Sequence, residues 1–173
     1  MNIDTQELLA QYERGPRELD ALLSEHPNAN LDVAHSPGGW TIRQIVHHIS
    51  DGDDLWAMAI KAALAASGVH YTHDWYTTDN ACFIPLDYSG RSIEPALALF
   101  RATRGHITQL LRHLPPDAWE RYIMFKNQDM PKFEKATVAL IVQIQATHAL
   151  EHITEIRTML ETPGNKYNEE KRS

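Results

Sequence analysis

Apolar residues recur at helical spacing through most of the chain, and the clearest pattern begins near residue 41. Intervals of three, four and seven residues keep one face apolar along the series Ile42, Ile45, Ile49, Trp56, Ile60 and Leu64. Such intervals place side chains on a single face of an α-helix. Thr41, with Gln44 three residues later, fits a capping box at the start of that face. The pattern predicts a helix from residue 41 to about residue 66.

Three further stretches carry the same spacing. The first covers residues 4–23, where Gly15-Pro16 is predicted to break the helix before the apolar stripe resumes. A third helix is predicted over residues 92–114, with an inward face of Leu97, Phe100, Ile107, Leu110, Leu111 and Leu114. The last helix is predicted to start after Thr137, a good N-cap residue, and to run to about Glu161.

The segments between these helices differ in kind. Residues 27–39 have the composition of a loop. Residues 67–91 form a long connection, rich in aromatic and polar residues, that could run the length of a bundle. Residues 117–136 are ambiguous, although "RYIMFK" suits a short strand in a hairpin. The sum predicts an all-α protein: one four-helix-bundle domain over residues 1–162, with long crossover connections, and a flexible polar tail over 163–173.

Composition narrows the class of protein. The 173 residues carry a formal net charge of −7, and no cluster of Lys and Arg forms a basic face, so nucleic-acid binding is not expected. No apolar run is long enough for a membrane helix, and the start of the chain lacks the features of a secretion signal. We therefore expect a cytoplasmic protein that acts on a small molecule, with homodimerisation left open. Cys82 is the only cysteine, which excludes an internal disulfide and a Cys-based zinc cage.

Histidines interrupt the apolar stripe of the last helix. The predicted inward face comprises Ile141, Ile144, His148, His152, Ile156 and Met159. Residues four apart are stacked neighbours on a helix. Two buried imidazoles side by side would each need a partner, and protonating both would bury two like charges. A divalent metal satisfies both rings at once, because each neutral imidazole donates a lone pair.

A third histidine lies on the inward face of the helix that begins at residue 41. His48 shares that face with Ile45, Ile49 and Gly52. Three nitrogen ligands leave one or more metal positions for water or substrate, which is the pattern of a catalytic rather than a structural site. Without a thiolate or carboxylate cluster, one borderline ion such as zinc or nickel is expected.

Other candidate residues have competing explanations. Asp51, one turn after His48, is a candidate to orient an imidazole, to bind metal, or merely to cap a local turn. "HALEH" also fits the inverted zinc-protease motif with Glu151 as general base, but that motif takes its third ligand from well downstream, where only 21 residues remain. Glu151 is otherwise a solvated helix residue. A di-iron site fails, since no Glu precedes these histidines by three residues.

The motifs "GGWTIRQIVHHISD", His148-x-x-x-His152 and "HITEI" resemble the DinB/YfiT-like superfamily, over roughly residues 5–161. The resemblance implies a four-helix bundle with one divalent metal, often nickel or zinc. Carried over by position, the ligands are His48, His148 and His152, and the second histidine of the His47-His48 doublet is the one that matches. The YfiT-like pattern tends to have extra histidines where this chain has Leu150 and Glu151.

The resemblance implies two kinds of enzyme. Some branches resemble transferases that use a low-molecular-weight thiol as cofactor, and members have also been described as metal-dependent hydrolases. A thiol S-transferase acting on electrophilic small molecules is our leading hypothesis, and a hydrolase with water as nucleophile is the first alternative. The third is a non-enzymatic bundle with a structural metal. In either enzyme, Tyr71, Trp75 and Tyr76 of the long connection are expected to line the substrate pocket.

Overall fold

The computed structural model describes residues 4–76, 84–127 and 130–161. Within them lie the helices α1 Thr5–Glu25, α2 Ile42–Ala65, α3 Glu94–Arg112 and α4 Val138–Glu161, and the strands β1 Val69–Thr72, β2 Tyr122–Lys126 and β3 Glu134–Thr137. The capping box of Thr41 and Gln44 is formed, and Thr137 Oγ1 accepts a hydrogen bond from the amide of Leu140. The predicted four-helix bundle is confirmed. The predicted tail over 163–173 lies outside the described residues.

The core shows the direction of each helix. One cluster joins the N-terminal halves of α1 and α4 to the C-terminal halves of α2 and α3, as at Leu9, Val142, Ile60 and Ile107. A second cluster joins the opposite halves, as at Leu22, Ile156, Ile45 and Phe100. Helices α1 and α4 therefore run one way, and α2 and α3 run the other. Because α2 and α3 are parallel, the connection between them must return along the bundle, as predicted for residues 67–91.

A small sheet closes one end of the bundle. Strand β2 pairs antiparallel with β3, which places Ile123 opposite Ala136, and pairs parallel with β1, which places it opposite Val69. The hairpin predicted from "RYIMFK" is confirmed. The sequence did not predict β1, because a short strand with mostly exposed side chains forms only when a distant partner supplies its hydrogen bonds.

Helix α1 continues through Gly15-Pro16, so the predicted break is wrong. Proline has no amide hydrogen, and Pro16 therefore leaves the carbonyl of Tyr12, four residues earlier, without its helical donor. Arg104 of α3 replaces that donor, since its Nη1 donates to Tyr12 O over 2.6 Å. The helix survives because a neighbouring helix satisfies the carbonyl, which a reading of local sequence cannot foresee.

Gly15 gives the guanidinium room to reach that carbonyl. A Cβ atom at Gly15 would lie 2.7 Å from Arg104 Nη1, and Arg104 is fixed in the core. We expect Gly15→Ala to lower the free energy of unfolding by about 1–3 kcal/mol through overpacking. Gly105→Ala is the matched control, because a Cβ there meets nothing within 4 Å. It should instead stabilise the helix by about 0.5–1 kcal/mol. Urea denaturation measures the free energy of unfolding of both variants. Equal stabilisation of the two would show that the Arg104 side chain moves away from the added methyl group without cost.

Candidate metal site

Three histidines from two antiparallel helices converge in the groove between α2 and α4. One ring nitrogen from each of His48, His148 and His152 lies within 4.8 Å of the others. His48 Nε2 and His148 Nε2 are 3.0 Å apart. His48 is buried, while the two histidines of α4 are half-buried. The fold thus brings together the three histidines that the apolar stripes singled out.

A tyrosine of the long connection sets the tautomer of His48. Tyr76 Oη donates to the backbone carbonyl of His48 over 3.0 Å and lies 2.8 Å from its Nδ1. A phenol has a single hydrogen to donate, so, with the phenol hydrogen assigned to the carbonyl, Nδ1 carries the proton and donates to Tyr76. The Nε2 lone pair of His48 then faces the other two imidazoles, which is the state a metal ligand needs.

His152 is oriented by a carboxylate on its own helix. Its Nδ1 lies 3.0 Å from Glu155 Oε2. A carboxylate bonded to the far nitrogen of an imidazole orients the ring and raises its basicity as a ligand. The candidate carboxylates predicted from the sequence were Asp51, to orient an imidazole, and Glu151, as a base; Glu155 was not among them. The available signal was the spacing of three residues within "HITEI", which places Glu155 beside His152 on the helix surface.

Electrostatics keep the two most buried rings neutral. Burial, together with smaller contributions from the nearby His148 and His152, lowers the pKa of His48 to about 3. Burial likewise lowers the pKa of His148 to about 4, with contributions from His152 and Arg104. Two ring nitrogens 3.0 Å apart need a proton or a cation between them. A donor set of three imidazole nitrogens therefore fits a zinc or nickel ion.

A tryptophan covers the cluster from the loop before α2. The ring of Trp40 stacks on His152 at 5.7 Å between centroids and meets His48 edge-on at 4.5 Å. Apolar cover of this kind limits solvent access to a metal site and lowers the local dielectric. Trp40 lies in the "GGW" part of the motif, but periodicity alone gave no reason to place it against these histidines.

The sequence model of the DinB superfamily matches residues 11–156. This chain belongs to the DinB superfamily. The resemblance inferred from the histidine motifs is therefore confirmed, together with its four-helix bundle.

Relatives of this DinB-superfamily chain are named after metal-dependent chemistry. A protein of Oceanobacillus iheyensis, named as a candidate metal-dependent hydrolase, is 27% identical over 166 residues, covering 91% of this chain and 87% of its own. YfiT of Bacillus subtilis carries the same description and is 28% identical over 147 residues, covering 83% and 79%. A solved structure of YfiT, described as an unusual four-helix bundle topology, matches with a TM-score of 0.79 at 24% identity, covering 95% of this chain and 90% of that one.

Two candidate carboxylates of this DinB-superfamily chain lie away from the imidazole nitrogens. Asp51 Oδ2 accepts a hydrogen bond of 2.5 Å from Tyr88 Oη, so its partner is a phenol of the long connection rather than an imidazole. Glu151 is exposed and lines a surface cavity beside His148. Neither belongs to the three-residue cluster that the described part of the chain forms.

The three aromatic candidates for the substrate pocket lie in different surroundings. Tyr76 contacts His48 directly, and the exposed ring of Trp75 lies edge-on to Tyr76 with 5.6 Å between centroids. Tyr71 instead packs against the core and donates to the carbonyl of Leu55. These contacts are structural ones, and its expected place in a substrate pocket stays a prediction. Cys82 lies outside the described residues.

An open cavity of about 400 Å³ runs along α4 to the histidine cluster. Its lining comprises Leu140, Gln143, Ile144, Thr147, His148 and Glu151. Ile144, predicted to face inward, is 47% exposed and forms part of this lining, so that prediction is wrong. The buried residue at this point of the helix is instead Gln145, whose backbone carbonyl accepts a hydrogen bond from the buried Arg104. A polar residue therefore holds the position that the pattern assigned to an isoleucine.

Within the described residues, no helix is long and apolar enough to cross a membrane.

Proposed function

We propose that this chain is a divalent-metal-dependent enzyme whose ligands are His48, His148 and His152. The observation that supports this proposal is the convergence of three imidazole nitrogens within 4.8 Å. Tyr76 and Glu155 hold the far nitrogens of two of these rings. Because these partners fix ring orientation before any ligand arrives, the donor set is preorganised.

The donor set suits catalysis better than structural stabilisation. Structural zinc sites are normally closed by four protein ligands, whereas the cluster found among the described residues has three. A divalent ion with three neutral ligands supplies Lewis acidity that lowers the pKa of a water molecule or thiol beside it. The non-enzymatic alternative from the sequence would require a fourth protein ligand.

We infer that the reaction is transfer of a low-molecular-weight thiol to an electrophile. Two carboxylates near the imidazoles already have hydrogen-bond partners. Glu155 is bonded to His152, and Asp51 is bonded to Tyr88. Thiolate attack needs an acidified thiol but no general base in the transition state. The thiol releases its proton to solvent as it becomes thiolate, a sulfur–carbon bond forms, and the leaving group departs with the electron pair of the bond that breaks. This site provides ligands and apolar cover for that step.

The substrate is proposed to approach along α4. The 400 Å³ cavity has the size of a small-molecule site and reaches His148. Leu140 and Ile144 give it an apolar floor, and Glu151 places a negative charge at the histidine end. A neutral or cationic electrophile with an apolar substituent fits this lining better than an anion. Trp75 and Tyr76 are proposed to contact the substrate from the other side of the groove.

Hydrolysis is the second candidate, and the names of the relatives favour it. In that reaction a water molecule is the nucleophile, and Glu151 is the described carboxylate placed to take up its proton from the cavity side. The two candidates share the same ligands and differ in the nucleophile. A single assay with and without thiol therefore separates them.

We expect thiol conjugation that depends on metal. The purified protein, loaded with zinc or nickel, is incubated with bacillithiol, mycothiol, glutathione or a simple thiol and a haloarene or bimane electrophile. Product should form with at least one thiol, and His148→Ala should reduce the rate to the uncatalysed level because it removes a ligand. Conjugate is measured by absorbance and mass spectrometry.

The cobalt-substituted protein gives the control. Thiolate binding to cobalt produces a charge-transfer band, so added thiol should alter the visible spectrum. If no thiol changes that spectrum, thiols do not reach the metal, and the transferase proposal fails. Hydrolysis of ester substrates by the same sample, lost in Glu151→Gln, would then favour the second candidate.

A further inference from the structure

Two aromatic side chains, Trp40 and Tyr76, form a wall against the histidine cluster. Trp40 contacts His48 and His152 through its ring, and Tyr76 bonds His48 through its hydroxyl. Both residues come from connections rather than helices, so the bundle alone does not fix their positions. Something outside the bundle must hold the aromatic wall if the rings are to keep one orientation.

Tyr88 lies behind both members of the wall. It is completely buried, although it belongs to the long connection, and it packs against Trp40, Tyr76 and Leu86. Its ring also stacks on His47 at 5.4 Å between centroids, with planes 21° apart. His47 is thus the side chain of the doublet that supports Tyr88, while His48 faces the cluster. One phenol ring touches both loop-borne residues that touch the proposed ligands.

The hydroxyl of Tyr88 fixes this ring to α2. It donates to Asp51 Oδ2 over 2.5 Å, and a charged acceptor makes such a hydrogen bond short and strong. Asp51 lies one helical turn after His48, so the bond ties the connection to the segment of α2 that carries the ligand. The Arg91 guanidinium lies 5.7 Å from the same ring and adds a cation–π contact.

We infer that Tyr88, held by Asp51, is a positioning residue that fixes the aromatic wall and thereby the geometry of the three histidines. This inference rests on the proposed metal function. Tyr88 packs against Trp40 and Tyr76, and these two residues contact the proposed ligands, so Tyr88 acts through them. Loosening the hydrogen bond should let the wall shift, and His48 would then lose a fixed tautomer and His152 its cover.

The first test measures metal affinity and coordination. Tyr88→Phe keeps the ring and removes only the hydroxyl, so the fold should be retained. We expect the affinity for cobalt to fall about 10-fold, which is the low end of the usual effect of removing a residue that supports metal ligands. The visible absorption bands of the bound cobalt should also change. Asp51→Ala should have the same effect, and the double variant should be no weaker than either single one, because all three lose one bond. Tyr71→Phe is the matched control, since it removes a phenol hydrogen bond of 3.0 Å to Leu55 O.

The second test needs no metal. In the metal-free protein, the Nδ1 hydrogen of His48 donates to Tyr76, and nitrogen-15 NMR can follow its exchange with solvent. Exchange should be faster in Tyr88→Phe than in wild type or Tyr71→Phe. If exchange, affinity and spectrum in Tyr88→Phe match those of Tyr71→Phe, Tyr88 is an ordinary core residue and the inference is wrong. If the wild-type protein binds no cobalt, the proposed metal function fails. In that case, slow exchange of the His48 Nδ1 hydrogen in wild type and faster exchange in Tyr88→Phe would still support the role of Tyr88 in positioning His48.

Discussion

Replacing His148 by alanine is expected to abolish metal binding. Wild-type protein supplied with zinc or nickel and then desalted should hold about one ion per chain, and His148→Ala should hold close to none. The reason is geometric, because the remaining imidazoles, on different helices, no longer close one face of a coordination sphere. His148 Nε2 also lies 3.0 Å from His48 Nε2, so its loss removes the atom that faces the most buried ligand. Elemental analysis by mass spectrometry measures the occupancy.

The histidine doublet provides the control for this experiment. His47 is buried to nearly the same extent as His48, but it stacks on Tyr88 and is not a member of the three-histidine cluster. At saturating metal, His47→Ala should retain about one ion per chain, whereas His48→Ala should lose it. The reverse result would show that the wrong histidine of the doublet has been assigned as a ligand.

The three candidate ligands could be predicted from sequence because helical geometry is regular. A polar residue that recurs with the apolar stripe is expected to face the interior, and a spacing of four residues stacks two side chains. His148 and His152 follow from these rules alone. His48 follows from the same rule on a second helix. The rule does not say that the two stripes face each other, because that depends on how the bundle packs. Family resemblance supplied that last step.

The residues that orient the ligands were harder to predict, because their contacts depend on loops. Tyr76 and Trp40 reach the cluster from connections whose paths no periodicity describes. Asp51 was a candidate to orient an imidazole, to bind metal or to cap a turn, and the long connection brings Tyr88 to it. Glu155 is the exception, since its spacing from His152 lies within one helix and could have been recognised.

The break predicted in α1 failed for a related physical reason. Proline ends helices in water because it leaves a carbonyl unsatisfied, and the rule assumes that no other donor is near. In this bundle Arg104 is that donor. The same side chain forms a buried ion pair with Asp53 and donates to the carbonyl of Gln145, so it links all four helices. Neither Asp53 nor Arg104 was identified from the sequence, since isolated charges on helices usually face solvent.

Removing Arg104 should be the most destabilising substitution considered for this fold. Breaking a buried ion pair from one side costs about 3–5 kcal/mol. For a chain of this size that corresponds to a fall in melting temperature of roughly 6–20 °C. Burial raises the pKa of Asp53 even beside Arg104. The carboxyl can therefore take up a proton once the guanidinium is gone, which places Arg104→Met near the lower end of the range.

The part of this cost that comes from the Tyr12 carbonyl can be isolated. Pro16→Ala restores an amide hydrogen four residues after Tyr12, so the carbonyl regains a helical donor whether or not Arg104 is present. Arg104→Met should then cost about 0.5–1.5 kcal/mol less in the Pro16→Ala background than in wild type, which is the usual net value of one hydrogen bond. Urea denaturation of the four proteins gives this coupling energy as a double-mutant cycle. Equal costs in the two backgrounds would mean that the arginine does not replace the missing donor, and that the ion pair with Asp53 accounts for its effect on stability.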